Sequence, residues 1–122
     1  MPAHKHNLPI EQGATFCDQV TWRTGPSKSS LIPVDLTGCK ARAQVRPEID
    51  SPEVLLELTT ENNRIALGGP SGVVAIEIDA VTTAEIQWES GVYDLEIIFP
   101  GGRVTRFLFG GVTVSKGVTR DQ

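Results

Sequence analysis

Apolar and polar positions alternate along most of this chain, the period that sets one face of a β-strand against a core and the other in water. The pattern is plainest in CKARAQVR, where Cys39, Ala41, Ala43 and Val45 share one face and Lys40, Arg42, Gln44 and Arg46 the other. VLLEL turns Val54, Leu56 and Leu58 inward, VVAIEID does the same with Val74, Ile76 and Ile78, and VYDLEIIF with Tyr93, Leu95, Ile97 and Phe99. An earlier run, ATFCDQVTW, groups Phe16, Val20 and Trp22, although Asp18 interrupts that face. These runs predict seven strands, at 14–22, 39–46, 54–59, 64–67, 73–79, 91–99 and 103–114.

Turn residues separate the runs. RTGPSKSS after Trp22 reads as a flexible loop, DLTG at 35–38 as a tight turn, and LGGPSG at 67–72 as a hairpin loop. In FPGGR, Pro100 and Gly101 suit the two central positions of a type II turn, which joins the last two strands into a hairpin. TTAEIQW fits either period through Ala84, Ile86 and Trp88. With Asp79 or Thr82 as cap, Glu85 three residues after Thr82, and Gly91 as stop, 81–88 is read as one short helix.

Seven short strands with a crossover before the sixth predict an all-β fold, an immunoglobulin-like Greek-key β-sandwich. The single tyrosine, Tyr93, follows Gly91 early in the sixth strand, the place of a tyrosine corner. In that reading its hydroxyl bonds backbone a few residues upstream and pins the 81–91 crossover; an ordinary inward aromatic is the alternative. At 122 residues the chain is long enough for one two-layer core. The expected division is a flexible N-terminal arm at 1–12, a single domain at 13–118 and a short tail at 119–122.

A net charge of −4 argues against nucleic acid as a partner, since phosphate binding needs a basic surface. No apolar run reaches the length that spans a bilayer, and MPAHKHNLPIEQG contains no apolar signal-peptide core, so neither membrane nor export is expected. Cys17 and Cys39, the two cysteines, are expected as reduced, buried or half-buried thiols.

Three stretches resemble a family of small tailed-bacteriophage virion proteins: IEQGATFCDQVTW, PVDLTGCKARAQVRP, and LLELTTENNRIALGG running on to GVYDLEIIFPGGRVTRFLFGGVTVS. The likeness covers residues 10 to 118 and extends, more loosely, to the immunoglobulin-like N-terminal domain of baseplate upper proteins. The chain departs from the pattern in RTGPSKSSLIPV, a longer loop, and at Cys39, where an aromatic is common. The resemblance implies a non-enzymatic structural part of the tail, baseplate or fibre-attachment region, present in multiple copies and contacting other virion proteins. It places the protein in the virion, and in the host cytoplasm during assembly. It supplies no catalytic residues. A capsid or neck decoration protein is the alternative within that class, and a carbohydrate-binding module the alternative outside it.

Direct candidates for chemistry are sparse, and no cofactor is expected. His4 and His6 sit in the expected arm, too few ligands for a metal site, and their absence from the predicted body leaves catalysis without a general base. GGPSG lacks the Lys-Ser/Thr pair and following helix of a phosphate loop. Glu48, Asp50 and Glu53 match no calcium loop. Trp22 and Trp88 are expected to complete the core rather than form a sugar platform. A protein interface is the stronger expectation. Leu55, Ile98, Phe107, Leu108 and Phe109 cannot all point inward if alternation holds, so VTRFLFGGVTV is apolar on both sides. Gly110-Gly111 is the expected bulge or bend. Phe107 and Phe109 are expected opposite Leu108, one face in the core and the other against a second chain. Arg103 and Arg106 would guard the edge and steer docking.

Overall fold

In the computed structural model, which describes residues 3–119, the alternating runs form two sheets. The strands, in chain order, are β1 (His4–Lys5), β2 (Leu8–Glu11), β3 (Phe16–Thr21), β4 (Arg23–Thr24), β5 (Ile32–Pro33), β6 (Lys40–Arg46), β7 (Leu56–Thr59), β8 (Ile65–Leu67), β9 (Val73–Ile78), β10 (Ser90–Ile98) and β11 (Val104–Ser115). One helix, α1 (Ala80–Ala84), precedes β10. In the first sheet β10 lies between β11 and β6, with β7 beyond β6 and both β1 and β2 on the far side of β11. The second sheet runs β3-β9-β8, and β4 pairs with β5 within the 22–39 connection.

Inward residues of both sheets meet in one core. Ala43, Val45, Leu95 and Ile97 from the first face Ile65, Val74, Ile76 and Ile78 from the second, all buried. The protein is therefore an all-β sandwich, and each of the seven predicted strands is present with shifted ends. The alternation misplaced one apolar position: Val54 is 41% exposed, because the strand begins only at Leu56. Gly91 lies inside β10 and ends no helix. A Cβ there would stand 2.8 Å from the Arg46 carbonyl oxygen, so the glycine lets β10 close on β6.

The helix is shorter than the expected 81–88. Asp79 caps it, its carboxylate accepting from the Thr82 amide at 3.3 Å. Beyond Glu85 the chain is drawn out by its neighbours: Ile86 is buried, and its carbonyl accepts from the Gln12 side chain at 2.8 Å. Thr83, fully buried, donates to the Ala14 carbonyl at 2.8 Å and accepts from the Gly13 amide at 3.1 Å. The crossover is thereby tied to the start of the chain.

Of the expected free arm at 1–12, the described residues 3–12 are not free, and residues 1 and 2 lie outside the described residues. β1 and β2 both run parallel to β11, pairing Lys5 with Phe109 and Leu8 with Val112. Leu8 and Ile10 are 1% and 2% exposed. Burying such a side chain is worth about 1.5–3 kcal/mol, enough to hold a short strand that its hydrogen bonds alone would not. Pro9 is tolerated because the His6 and Gln12 amides face β11, leaving position 9 to face outward, where a missing N–H breaks no ladder. Of the expected tail at 119–122, residues 120–122 lie outside the described residues.

Candidate functional site

The hairpin of β10 and β11 carries the residues for which an interface was expected. Its turn closes with the Gly102 amide donating to the Phe99 carbonyl at 3.0 Å, with Gly101 at φ +94°. A positive φ at the third position is what a type II turn demands, and glycine meets it without strain. Arg103 stacks over the Phe99 ring at 4.4 Å, at this end of the hairpin.

Pairing proceeds regularly from the turn until Glu96 opposite Arg106, after which Leu95 stands opposite Leu108. Phe107 is the extra residue. This bulge, and not Gly110-Gly111, shifts the phase, so two successive side chains point inward. Phe107 and Leu108 are 3% and 1% exposed, whereas Phe109 is 41% exposed. The expectation that Phe107 and Phe109 share a face opposite Leu108 is corrected accordingly. Phe107 stacks on Trp22 with ring centroids 4.8 Å apart, and Trp22 meets Phe99 edge-on at 6.0 Å. The buried Trp22 indole N–H has no acceptor among the described residues.

In the half of β11 nearer the turn, the outward residues are Val104, Arg106 and Phe109. Their neighbours across β10 are Ile98, Glu96 and Asp94. Arg106 reaches Asp94 at 3.3 Å, and Arg42 on β6 reaches Glu96 at 2.8 Å. These are exposed pairs, each worth at most about 1 kcal/mol, and they give the face its charged ladder. Within it Phe109 and the 38%-exposed Val92 form a small apolar island. Ile98 is half-buried; Leu55, expected outward, packs half-buried against the core. The strand is thus not apolar on both sides: the excess is used by the bulge.

A second cluster was expected only in part: Tyr93 as an inward ring with a bonded hydroxyl, but not the partners it finds. Tyr93 is 5% exposed, and its hydroxyl donates to the His6 carbonyl at 2.5 Å. The bond does not run to the nearby crossover, as a tyrosine corner requires, but to the link between β1 and β2. That carbonyl is free because Asn7 replaces it: the Asn7 Oδ1 accepts from the Gly111 amide at 3.0 Å. The His6 ring, expected in a solvated arm, meets Asp18 with Nε2 and Oδ2 2.6 Å apart. Burial, and secondarily the Asp18 carboxylate, pushes the Tyr93 hydroxyl pKa well above its ordinary value. Gly110 leaves room for all of this, since a Cβ there would lie 2.6 Å from the His6 carbonyl oxygen. Asp18, which broke the alternation, was the available signal: an acid on an inward face needs a partner.

The remaining candidates do not converge. Among the described residues no three His, Cys, Asp or Glu side chains approach closely enough to hold a metal ion. Cys17, expected buried or half-buried, is exposed on the outer face of β3, and Cys39, half-buried with its thiol pKa raised by burial and by Asp35, forms no disulfide with it. Trp22 belongs to the core, while Trp88 is half-buried along an open groove of about 860 Å³ beside Ile86, Val81, Gln87 and Lys116. The two indoles therefore make no common platform. No family model matches the chain, and no curated protein matches it.

Proposed function

We propose that the protein is a non-enzymatic structural component of a tailed-phage virion, working in the tail, baseplate or fibre-attachment region through contacts with other virion proteins. The motifs behind this reading fall on the folded elements: IEQGATFCDQVTW on β2 and β3, DLTG on the turn before β6, and GVYDLEIIFPGGRVTRFLFGGVTVS on the β10–β11 hairpin. The sheet orders support an immunoglobulin-like sandwich: β3-β9-β8 corresponds to strands B, E and D, and β11-β10-β6-β7 to G, F, C and C′.

The observation that carries the reading is Phe109. A large aromatic ring, 41% exposed in the middle of a sheet face and ringed by Lys5, Asp94 and Arg106, is the composition of an interface anchor with a charged rim. The test is incorporation of Phe109→Glu into particles, beside a thermal melt. The variant is expected to fold as wild type and to be lost from particles, because contact would desolvate the new carboxylate. Phe107→Glu and Leu108→Glu are expected to unfold. Normal incorporation of Phe109→Glu would overturn the assignment of this face.

A further inference from the structure

Two open sheets present four edges: two are blocked by their own residues, and a third is too short to offer a long ladder. On β7 the outward Glu57 carbonyl accepts from Asn62 Nδ2 and Arg64 Nη1, both at 3.0 Å, and the outward Thr59 amide donates to Asn62 Oδ1 at 2.9 Å. On β1–β2 the outward row holds Pro9, which has no N–H, between the charges of Lys5 and Glu11. β8 is three residues long.

β3 differs. It is six residues long and, among the described residues, pairs through one side, with β9. The Trp22 amide donates inward to the Gly72 carbonyl, which fixes the parity: Cys17, Gln19 and Thr21 turn their backbone groups outward. The Gln19 amide donates to Asp18 Oδ1 at 2.8 Å, within its own strand. Among the described residues nothing takes up the amides of Cys17 and Thr21, or the carbonyls of Cys17, Gln19 and Thr21. A row of this kind recognises one thing, another extended backbone.

We propose that the β3 edge docks against the β3 edge of a second copy, antiparallel, about a two-fold axis at Gln19. The side chains select that occupant. With Gln19 opposite Gln19 of the second copy, Cys17 falls opposite Thr21 and Asp18 opposite Val20, so no two like charges meet across the pair. The outward side chains, Cys17, Gln19 and Thr21, are uncharged in a chain of net charge −4, so this strip can approach itself without repulsion. The Gln19 amide exchanges Asp18 for the opposing carbonyl, while Asp18 stays turned toward His6. Two three-stranded sheets become one continuous sheet. This surface is separate from Phe109, and the proposal does not depend on the virion reading.

The experiment is sedimentation velocity with light scattering on the full chain, from micromolar to millimolar. Association to twice the 13.2 kDa monomer mass is expected. Gln19→Lys sets two ammonium groups opposite one another, and Thr21→Pro deletes an outward amide at a position that donates nothing to β9. Each is expected to weaken association by about tenfold or more with the thermal melt unchanged. A Cys17→Ser, Gln19→Cys, Cys39→Ser protein is expected to form a disulfide dimer under mild oxidation. Directly opposed hydrogen-bonded residues stand about 5.5 Å apart at Cα, within disulfide reach. A protein monomeric throughout, a dimer undiminished in folded variants, or a folded dimer that fails to cross-link would each overturn the proposal. Should both edge variants unfold, the cross-link decides.

Discussion

Replacing Tyr93 by Phe removes one oxygen and leaves the ring where it is. The lost bond is the hydroxyl's donation to the His6 carbonyl. A net hydrogen bond of this kind contributes about 0.5–1.5 kcal/mol, and a buried carbonyl left without a donor costs about 1–3 kcal/mol. The His6 carbonyl cannot fall back on the ladder, because Asn7 already accepts the Gly111 amide. It can recover only by letting water reach it, which means loosening β1 and β2 from β11. The expected cost is therefore about 1–2 kcal/mol, a fall of roughly 4–8 °C in Tm for a domain this size. Hydrogen exchange localises the effect. The His6 and Gln12 amides, bonded to Phe109 and Ser115, should exchange faster, while amides paired between β3 and β9 should not change beyond the global loss. An unchanged Tm, or faster exchange spread evenly over both sheets, would refute the account of Tyr93 as the fastener of β1 and β2.

Three further outcomes are expected. Gly110→Ala should destabilise by on the order of 1–3 kcal/mol and detach the same strands, since the new methyl meets backbone that cannot move aside cheaply; a calorimetric melt with exchange at His6 checks it. Because Tyr93 is the chain's only tyrosine, alkaline absorbance titration reports it alone. Its pKa is raised in the fold, so its contribution is complete below about 10 and is lost as pH rises further, and tyrosinate should appear together with unfolding; ionisation of the intact fold near 10 would contradict the burial. Hydrogen bonding from Thr82 lowers the Asp79 pKa, so its contribution is present above about 4 and lost as pH falls through the lowered value. Asp79→Asn should keep the cap and flatten that acid dependence, read from urea melts between pH 2 and 5 or so.

The strands were legible because period 2 persists where one face is buried, as in CKARAQVR and VVAIEID. DLTG and FPGGR were legible because Gly38 and Gly101 adopt positive φ in turns that call for it. The N-terminal strands, β2 above all, were not. LPIE offers only Leu8 and Ile10 as inward positions, with a proline between them, and nothing local distinguishes it from a polar arm. Its partner is 104 residues away in register, Leu8 against Val112, and pairing at that separation leaves no trace in a window of a few residues. The helix end failed for a related reason: TTAEIQW is ambiguous in itself, and it is the Gln12 side chain on the Ile86 carbonyl that settles it.

The candidate face shows how a single inserted residue changes a functional reading. Counted by twos from Val104, VTRFLFGGVTV has too many apolar residues for one face, and the surplus reads as a second buried surface. A bulge at Phe107 reassigns the count. Phe107 fills the space against Trp22, Leu108 keeps the inward place opposite Leu95, and one ring, Phe109, is left outside. Bulges have no obligatory residue unless they need a positive φ, and Phe107 needs none. The two glycines that looked like the irregularity serve a different contact, the approach of His6 and Asn7. Any docking on this face must accordingly be anchored by Phe109 and Val92 within a charged ladder, a small and salt-sensitive surface, and not by an apolar second layer. Association through Phe109 should therefore weaken as salt rises, through Arg106 and Asp94, while docking through the uncharged β3 edge should hardly change. Salt dependence separates the two surfaces without a single mutation.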